Sequence, residues 1–234
     1  MKKMIAAILS VLLIGSLCAC GSGGGDGMPV VFNPGEYALY TNIFYNDQGS
    51  DYDGKEVTKI GTFTSLQDRY NDVTRYYVWG YSDQTKCCDW QWELNLTDTG
   101  NLPSNGAQVE VKGIFSSHDA ALDGYWIESP SISVKQEYHG PDCDVDMTTM
   151  SATLERVQLA NMGNFMSDFE GQSVYAYGRV YSPTSIEHPY YDGVWVQDFE
   201  SADTTPAIGT LVIVSGTFRD GVITDGAVSE TAAF

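Results

Sequence analysis

Cysteine carries the most distinctive chemistry in this chain, with five in 234 residues. Two of them close the run Leu17-Cys18-Ala19-Cys20-Gly21, which follows Lys2, Lys3 and an apolar stretch from Met4 to Leu17. Cys20 follows the small residue Ala19, whereas Cys18 follows bulky Leu17. As a helix the apolar stretch would rise about 21 Å, short of the roughly 30 Å hydrocarbon core, so it suits a secretory segment better than a permanent span. The glycine-rich run Gly21-Ser22-Gly23-Gly24-Gly25-Asp26-Gly27 then reads as a flexible tether reaching about 15 Å.

This order of basic residues, apolar run, small residue, cysteine and tether resembles the lipobox of bacterial lipoproteins. The resemblance implies a signal peptide over residues 1–19, a diacylated Cys20 with its tether over 20–27, and an extracytoplasmic protein. Two acyl chains hold such a protein lastingly at the outer face of the cell membrane. Loss of Lys2 and Lys3 takes the formal charge from −19 to −21. A surface so acidic repels phosphate backbones and argues against nucleic acid as a partner. It suits cations, a cationic cell-wall component, or plain solubility. With 43% hydrophobic and 12% aromatic residues the chain can fill a core.

The other thiols are Cys87, Cys88 and Cys143. From Cys88 the residues Trp90, Trp92, Leu94 and Leu96 alternate with Cys87, Asp89, Gln91 and Glu93, the pattern of a strand with the first set inward and the second outward. The Cys-Cys pair, with Glu93 and Leu94 following, resembles an element of uncharacterised OB-like surface proteins of Gram-positive anaerobes; that resemblance implies no activity. Adjacent cysteines rarely bridge each other, so three chemistries stay open: a Cys143 bridge to Cys87 or Cys88, reduced structural thiols, or a metal held by the three with His118 or His139. The metal arrangement lacks a C-x₂-C spacing. Asp142, Asp144 and Asp146 would share a face if extended and could hold a hard cation, though a solvated acidic linker explains them as well. The histidines His118, His139 and His188 have loop-like surroundings.

Aromatic residues supply candidate contacts of another kind. Tyr77, Trp79 and Tyr81 share a strand face, and Tyr190, Tyr191 and Trp195 occupy the corresponding part of the second half. Exposed Tyr and Trp suit sugar rings or a protein partner; buried, the same rings would fill barrel interiors and the seam between them.

An internal repeat governs what must position these residues. The segment from Asp51 to Ser65 matches that from Asp168 to Ser182 at an offset of 117, with Asp, Gly, Val, Gly and Ser recurring. A second match, Gly106 to Phe115 with Gly209 to Phe218, has an offset of 103. Two ordered matches in about 200 residues mean two domains rather than a solenoid. Each strand carries an interior glycine, which marks a bend or bulge where a small sheet curls. The expected fold is all-β, with two tandem five-stranded barrels resembling the OB-fold over residues 28–136 and 137–234. A helix is expected near Thr153 to Met162, and segment 37–47 leans to strand.

No nucleophile elbow, phosphate-cradling loop or calcium loop is present. The sequence therefore points to a membrane-anchored module that binds a cell-wall glycan or a surface protein non-covalently, with no cofactor and no catalysis. A metal-handling or redox module on Cys87 and Cys88 is the first alternative, and a cell-wall hydrolase the second.

Overall fold

Glycine decides where the sheets curl. A Cβ on Gly113 would fall 2.7 Å from the Glu128 carbonyl oxygen and onto the Ile127 side chain. One on Gly216 would fall 2.5 Å from the Thr224 carbonyl and 2.8 Å from Ile223. The neighbouring strand passes too close for any other residue, so the ladder folds over on itself at both places.

The computed structural model describes residues 30–33, 35, 49, 52–81, 89–117, 126–189 and 195–231. Strand β1 (Val30–Phe32) precedes a ring of five: β2 (Glu56–Asp68), β3 (Val73–Tyr81), β4 (Asp89–Asn95), β5 (Gln108–Ser116) and β6 (Trp126–Gln136). The ring closes in the order β2-β3-β4-β6-β5-β2, antiparallel except for the parallel pair β4–β6. The second ring follows the short strand β7 (Val145–Asp146) and contains β8 (Ser173–Ser182), β9 (Ser185–Glu187), β10 (Val196–Ser201), β11 (Leu211–Arg219) and β12 (Val222–Glu230). It closes as β8-β9-β10-β12-β11-β8, again with only the third and fifth strands parallel. The fold is therefore all-β barrel; among the described residues helix is confined to a 3₁₀ turn (Met147–Thr149), α1 (Ala152–Asn164) and α2 (Met166–Phe169).

The two rings repeat each other bond for bond at the predicted offsets. Gly54 donates its N–H to the Phe115 carbonyl and Gly171 donates to that of Phe218, both at 2.9 Å. Gly106 donates to Phe63 at 2.8 Å, and Gly209 to Val180 at 2.9 Å. Gly113 stands opposite Val57, and Gly216 opposite Val174. One pairing differs from the ungapped alignment. That alignment places Trp79 with Val196, yet Trp79 pairs with Thr62 while Glu187 pairs with the equivalent Arg179. The second hairpin is shorter, so its strand β9 ends sooner and Trp79 corresponds to Glu187.

Alternation fills each interior. Val57, Phe63, Val78, Trp92, Val111, Phe115 and Ile127 are buried in the first ring, where Phe32 and Phe115 pack on the Trp92 ring at 4.7 and 5.1 Å. Val174, Ala176, Val180, Ile186, Phe199, Val214, Phe218 and Ile223 do the same in the second. A fully buried lysine, Lys59, breaks the apolar pattern of the first interior; its repeat equivalent is Ala176. Changing Gly113 or Gly216 to alanine should destabilise the protein by about 1–3 kcal/mol through overpacking against backbone. Urea unfolding of both variants checks this, and a cost near zero at either position would show that the close approach is not needed.

Candidate binding site at the seam

The face predicted to look outward on β4 does not meet water. Gln91 is 2% exposed and Glu93 8%. The cover is the amino end of α1, which approaches β3 and β4 from outside the first barrel. Ser151 caps α1 by accepting from the Leu154 N–H (3.2 Å) while its own hydroxyl donates to Gln91 Oε1 (2.8 Å). The Asp89 carboxylate accepts from the Thr153 N–H at 3.3 Å. A polar strand face thus meets the unsatisfied amides of a helix start, each satisfying the other. Helix α1 falls within two residues of the predicted span at each end, and its cap works without the acidic partner of a capping box. Ser151→Ala should cost about 1–2 kcal/mol, more than an exposed cap, because Gln91 loses a buried partner too. Chemical denaturation measures it; a change within error would remove Ser151 from the docking.

Along the same face Tyr77 and Trp79 are buried under Met150 and Leu154, with Leu66 beside them. The Trp79 indole N–H lies 3.1 Å from Thr64 Oγ1 and 3.0 Å from the Thr149 carbonyl, which also accepts from the Thr64 hydroxyl. Farther along α1, the Asn161 side-chain amide donates to the Gln67 carbonyl at 2.7 Å and that of Asn164 to the Tyr70 hydroxyl at 2.8 Å. Tyr77 and Trp79 are therefore seam residues, and the helix occupies the outer β2–β3 surface.

Where the cover ends, a cavity of about 420 Å³ remains, within the size range of small-ligand sites. The first barrel contributes Thr62, Trp79, Tyr81 and Gln108; the second contributes Tyr177, His188 and Pro189. The connecting segment supplies Glu137, Tyr138, Met150 and Glu155. Trp79 and Tyr81 meet edge to face at 5.6 Å. The Tyr138 hydroxyl donates to Asp146 Oδ2 at 2.8 Å; burial pushes it up to about 12, so it remains a donor at neutral pH.

Two titratable groups in this wall are buried. Glu155 is 4% exposed, and burial followed by the nearby Asp89 carboxylate raises its carboxyl well above the usual range. The Trp195 indole N–H is its near neighbour but makes no hydrogen bond of good geometry. His188, predicted to lie in an exposed loop, is 1% exposed and packs edge-on against Trp195 at 5.9 Å. Burial and the Arg179 charge lower it to about 4, so it is neutral at pH 7. Arg179 itself is tied to Glu187 at 2.9 Å.

Of the aromatic candidates, Trp79 and Tyr81 line the cavity, Tyr77 lies beneath the helix, and Trp195 stands behind His188 and Glu155 in the second core. Tyr190 and Tyr191 lie outside the described residues, as do Cys20, Cys87, Cys88, His118 and segment 37–47. Cys143 is a free, partly exposed thiol raised to about 11 by burial and by Asp146, Asp144 and Asp142, which makes it a poor thiolate at neutral pH. Two of the acidic triplet have structural employment: Asp144 accepts from the Ser173 N–H and hydroxyl (2.8 and 2.7 Å), and Asp146 caps the 3₁₀ turn by accepting from the Thr148 N–H at 3.0 Å. Among the described residues no group of three His, Cys, Asp or Glu is placed to hold a metal, and no helix is long and apolar enough to cross a membrane. Glu155, Tyr138 and Tyr177 carry no signal in the sequence that marks them as site residues, and His188 reads there as a loop residue; polar residues buried singly leave no periodic signal.

No family model matches the chain, and no curated protein is similar to it at a significant level.

Proposed function

We propose that this protein is a lipid-anchored extracytoplasmic binding module: two tandem OB-like barrels that seat a ligand non-covalently at their seam, without converting it. The single observation that carries this reading is the aromatic- and carboxyl-lined cavity between Trp79 and Tyr81 on one side and Tyr177 and His188 on the other. The OB-like assignment is supported by five strands closing a ring twice over with the same order and the same parallel pair. In such barrels the surface of the second and third strands, here β3 and β4, is the usual ligand face; α1 covers part of it in the first barrel and leaves the seam open. Catalysis is not part of the proposal, because Asp89, the acid whose charge acts on Glu155, is engaged with the helix start. Anchoring rests on the Leu17-Cys18-Ala19-Cys20 run and its tether.

A cell-wall ligand follows from that location. Peptidoglycan fragments released by a muramidase, titrated into the purified protein, should change tryptophan fluorescence saturably and be recovered with unchanged mass. Cleaved fragments would replace binding by hydrolysis, and an unsaturable signal would end the proposal. For the anchor, radiolabelled palmitate should enter the wild type and not Cys20→Ser; equal labelling of both would disprove Cys20 as the acceptor.

A further inference from the structure

We infer that the seam cavity takes an organic ammonium group, seated against the Glu155 carboxylate among the rings of Trp79, Tyr81 and Tyr177. The inference rests on the binding function proposed above and names the chemical class of the ligand.

Among the described residues the cavity wall contains two carboxyl groups, Glu137 and Glu155, and no lysine or arginine. The described bases nearby are engaged elsewhere: Arg179 on Glu187 at 2.9 Å, and Arg75 on Glu93 and Asp68 at 2.8 and 3.0 Å. Among the described residues no ion pair reaches Glu155. A carboxylate buried without a counter-charge is strongly disfavoured, and such a group takes up a proton instead. Glutamine would fill the same space without that burden, so an acid at this position suits a ligand that brings the missing positive charge.

Four aromatic side chains, Trp79, Tyr81, Tyr138 and Tyr177, line a space large enough for a substituted ammonium, and such rings attract a desolvated cation through their faces. Among the described residues no group of three His, Cys, Asp or Glu side chains is placed here to hold a divalent metal. The exchange balances simply: the Glu155 carboxyl proton leaves to solvent as the ammonium enters, and no covalent bond forms or breaks beyond that O–H. Binding should therefore release about one proton per site when Glu155 starts protonated.

Among the described residues, Asp89 from β4 acts on Glu155 by its charge, and the titratable groups that share the cavity wall with it are Tyr81 from β3, Tyr177 from β8, His188 after β9, and Glu137 and Tyr138 from the connecting segment. His188 stays neutral at neutral pH, and Tyr138 keeps its proton. The pH dependence of binding thus belongs to the Glu155–Asp89 pair.

Calorimetric titration of the purified protein with choline, and with its uncharged isostere 3,3-dimethylbutan-1-ol, tests this. Choline should bind at least tenfold more tightly than the alcohol. Its affinity should rise by up to tenfold per pH unit while Glu155 remains protonated. Glu155→Gln should lose at least tenfold in choline affinity and all of the pH dependence, and Tyr81→Ala should weaken choline while leaving the melting transition cooperative. Glu155→Asp keeps the charge and should recover part of the affinity, which separates a charge effect from misfolding. Equal binding of choline and alcohol, or an unchanged Glu155→Gln, would overturn the inference. Peptidoglycan fragments that bind while choline does not would overturn the ammonium class alone; failure of both would overturn the binding seat itself.

Discussion

Trp79→Ala should destabilise the protein by about 3–5 kcal/mol, the range for removing a large buried aromatic. The melting temperature should fall by roughly 10 °C, given the few degrees per kcal/mol expected of a chain this size. The side chain is 7% exposed and packs with Leu66, Tyr77, Met150 and Leu154, so its loss leaves a cavity between the first barrel and the helix. It also removes the donor that meets Thr64 Oγ1 and the Thr149 carbonyl. Trp79→Phe separates the two terms: most of the packing stays, and the lost hydrogen bonds should cost about 1–2 kcal/mol. Differential scanning calorimetry of both variants measures the effect. A loss below about 1 kcal/mol for Trp79→Ala would mean that the helix does not dock on β3 as described.

Lys59 provides the second large effect, and its sign depends on pH. The side chain is fully buried in the first barrel, with Nζ 5.1 Å from the centroid of the Trp92 ring, and burial lowers its pKa to about 7. In the unfolded chain a lysine titrates near 10.4. Between these two values the unfolded state binds a proton that the folded state has released, so the lysine costs stability at pH 7 and the cost fades as pH rises toward 10. The integrated effect is roughly 4 kcal/mol. Lys59→Met fills similar space without the charge. It should be the more stable protein at pH 7, with its advantage over wild type shrinking by about that amount by pH 10. Urea unfolding of both proteins across this range checks the difference, which cancels other groups that titrate equally in each. A constant offset between the two curves would contradict a lowered lysine.

His188 and Glu155 act lower on the scale and in opposite directions. His188 stays neutral down to about pH 4 in the fold while an unfolded histidine charges near 6.5, so its contribution is lost as pH falls between those values. Glu155 keeps its proton in the fold above the pH at which an unfolded glutamate ionises, so its contribution declines as pH rises from about 4.3. The two partly cancel in the mildly acidic range.

The repeat was legible because bends leave no choice of residue. Gly61, Gly113, Gly178 and Gly216 each sit where a Cβ would meet backbone oxygen of the next strand, so both copies keep them. Helix α1 was legible from Leu154, Val157 and Ala160 recurring at threes. The docking of α1 was not. Asp89, Gln91 and Glu93 have the composition of a solvated face, yet Gln91 meets Ser151 and Asp89 meets Thr153, 60 and 64 positions away, while Glu93 pairs with Arg75. Alternation reports which residues share a face and does not say what covers it. For the same reason Tyr77 and Trp79 could be grouped but not assigned to seam or solvent. The cavity acid, Glu155, lies on a helix whose buried residues include Gln158 and Asn161 as well as Leu154. That helix buries polar and apolar groups alike, which blurs any amphipathic signature.

A crystal structure of the protein with a bound peptidoglycan fragment would test the seam as a binding seat most directly. The account predicts fragment density between Tyr81 and Tyr177, with a positively charged group of the fragment nearest Glu155. Fragment density on the outer strands of either barrel, with the seam cavity left unfilled, would contradict it.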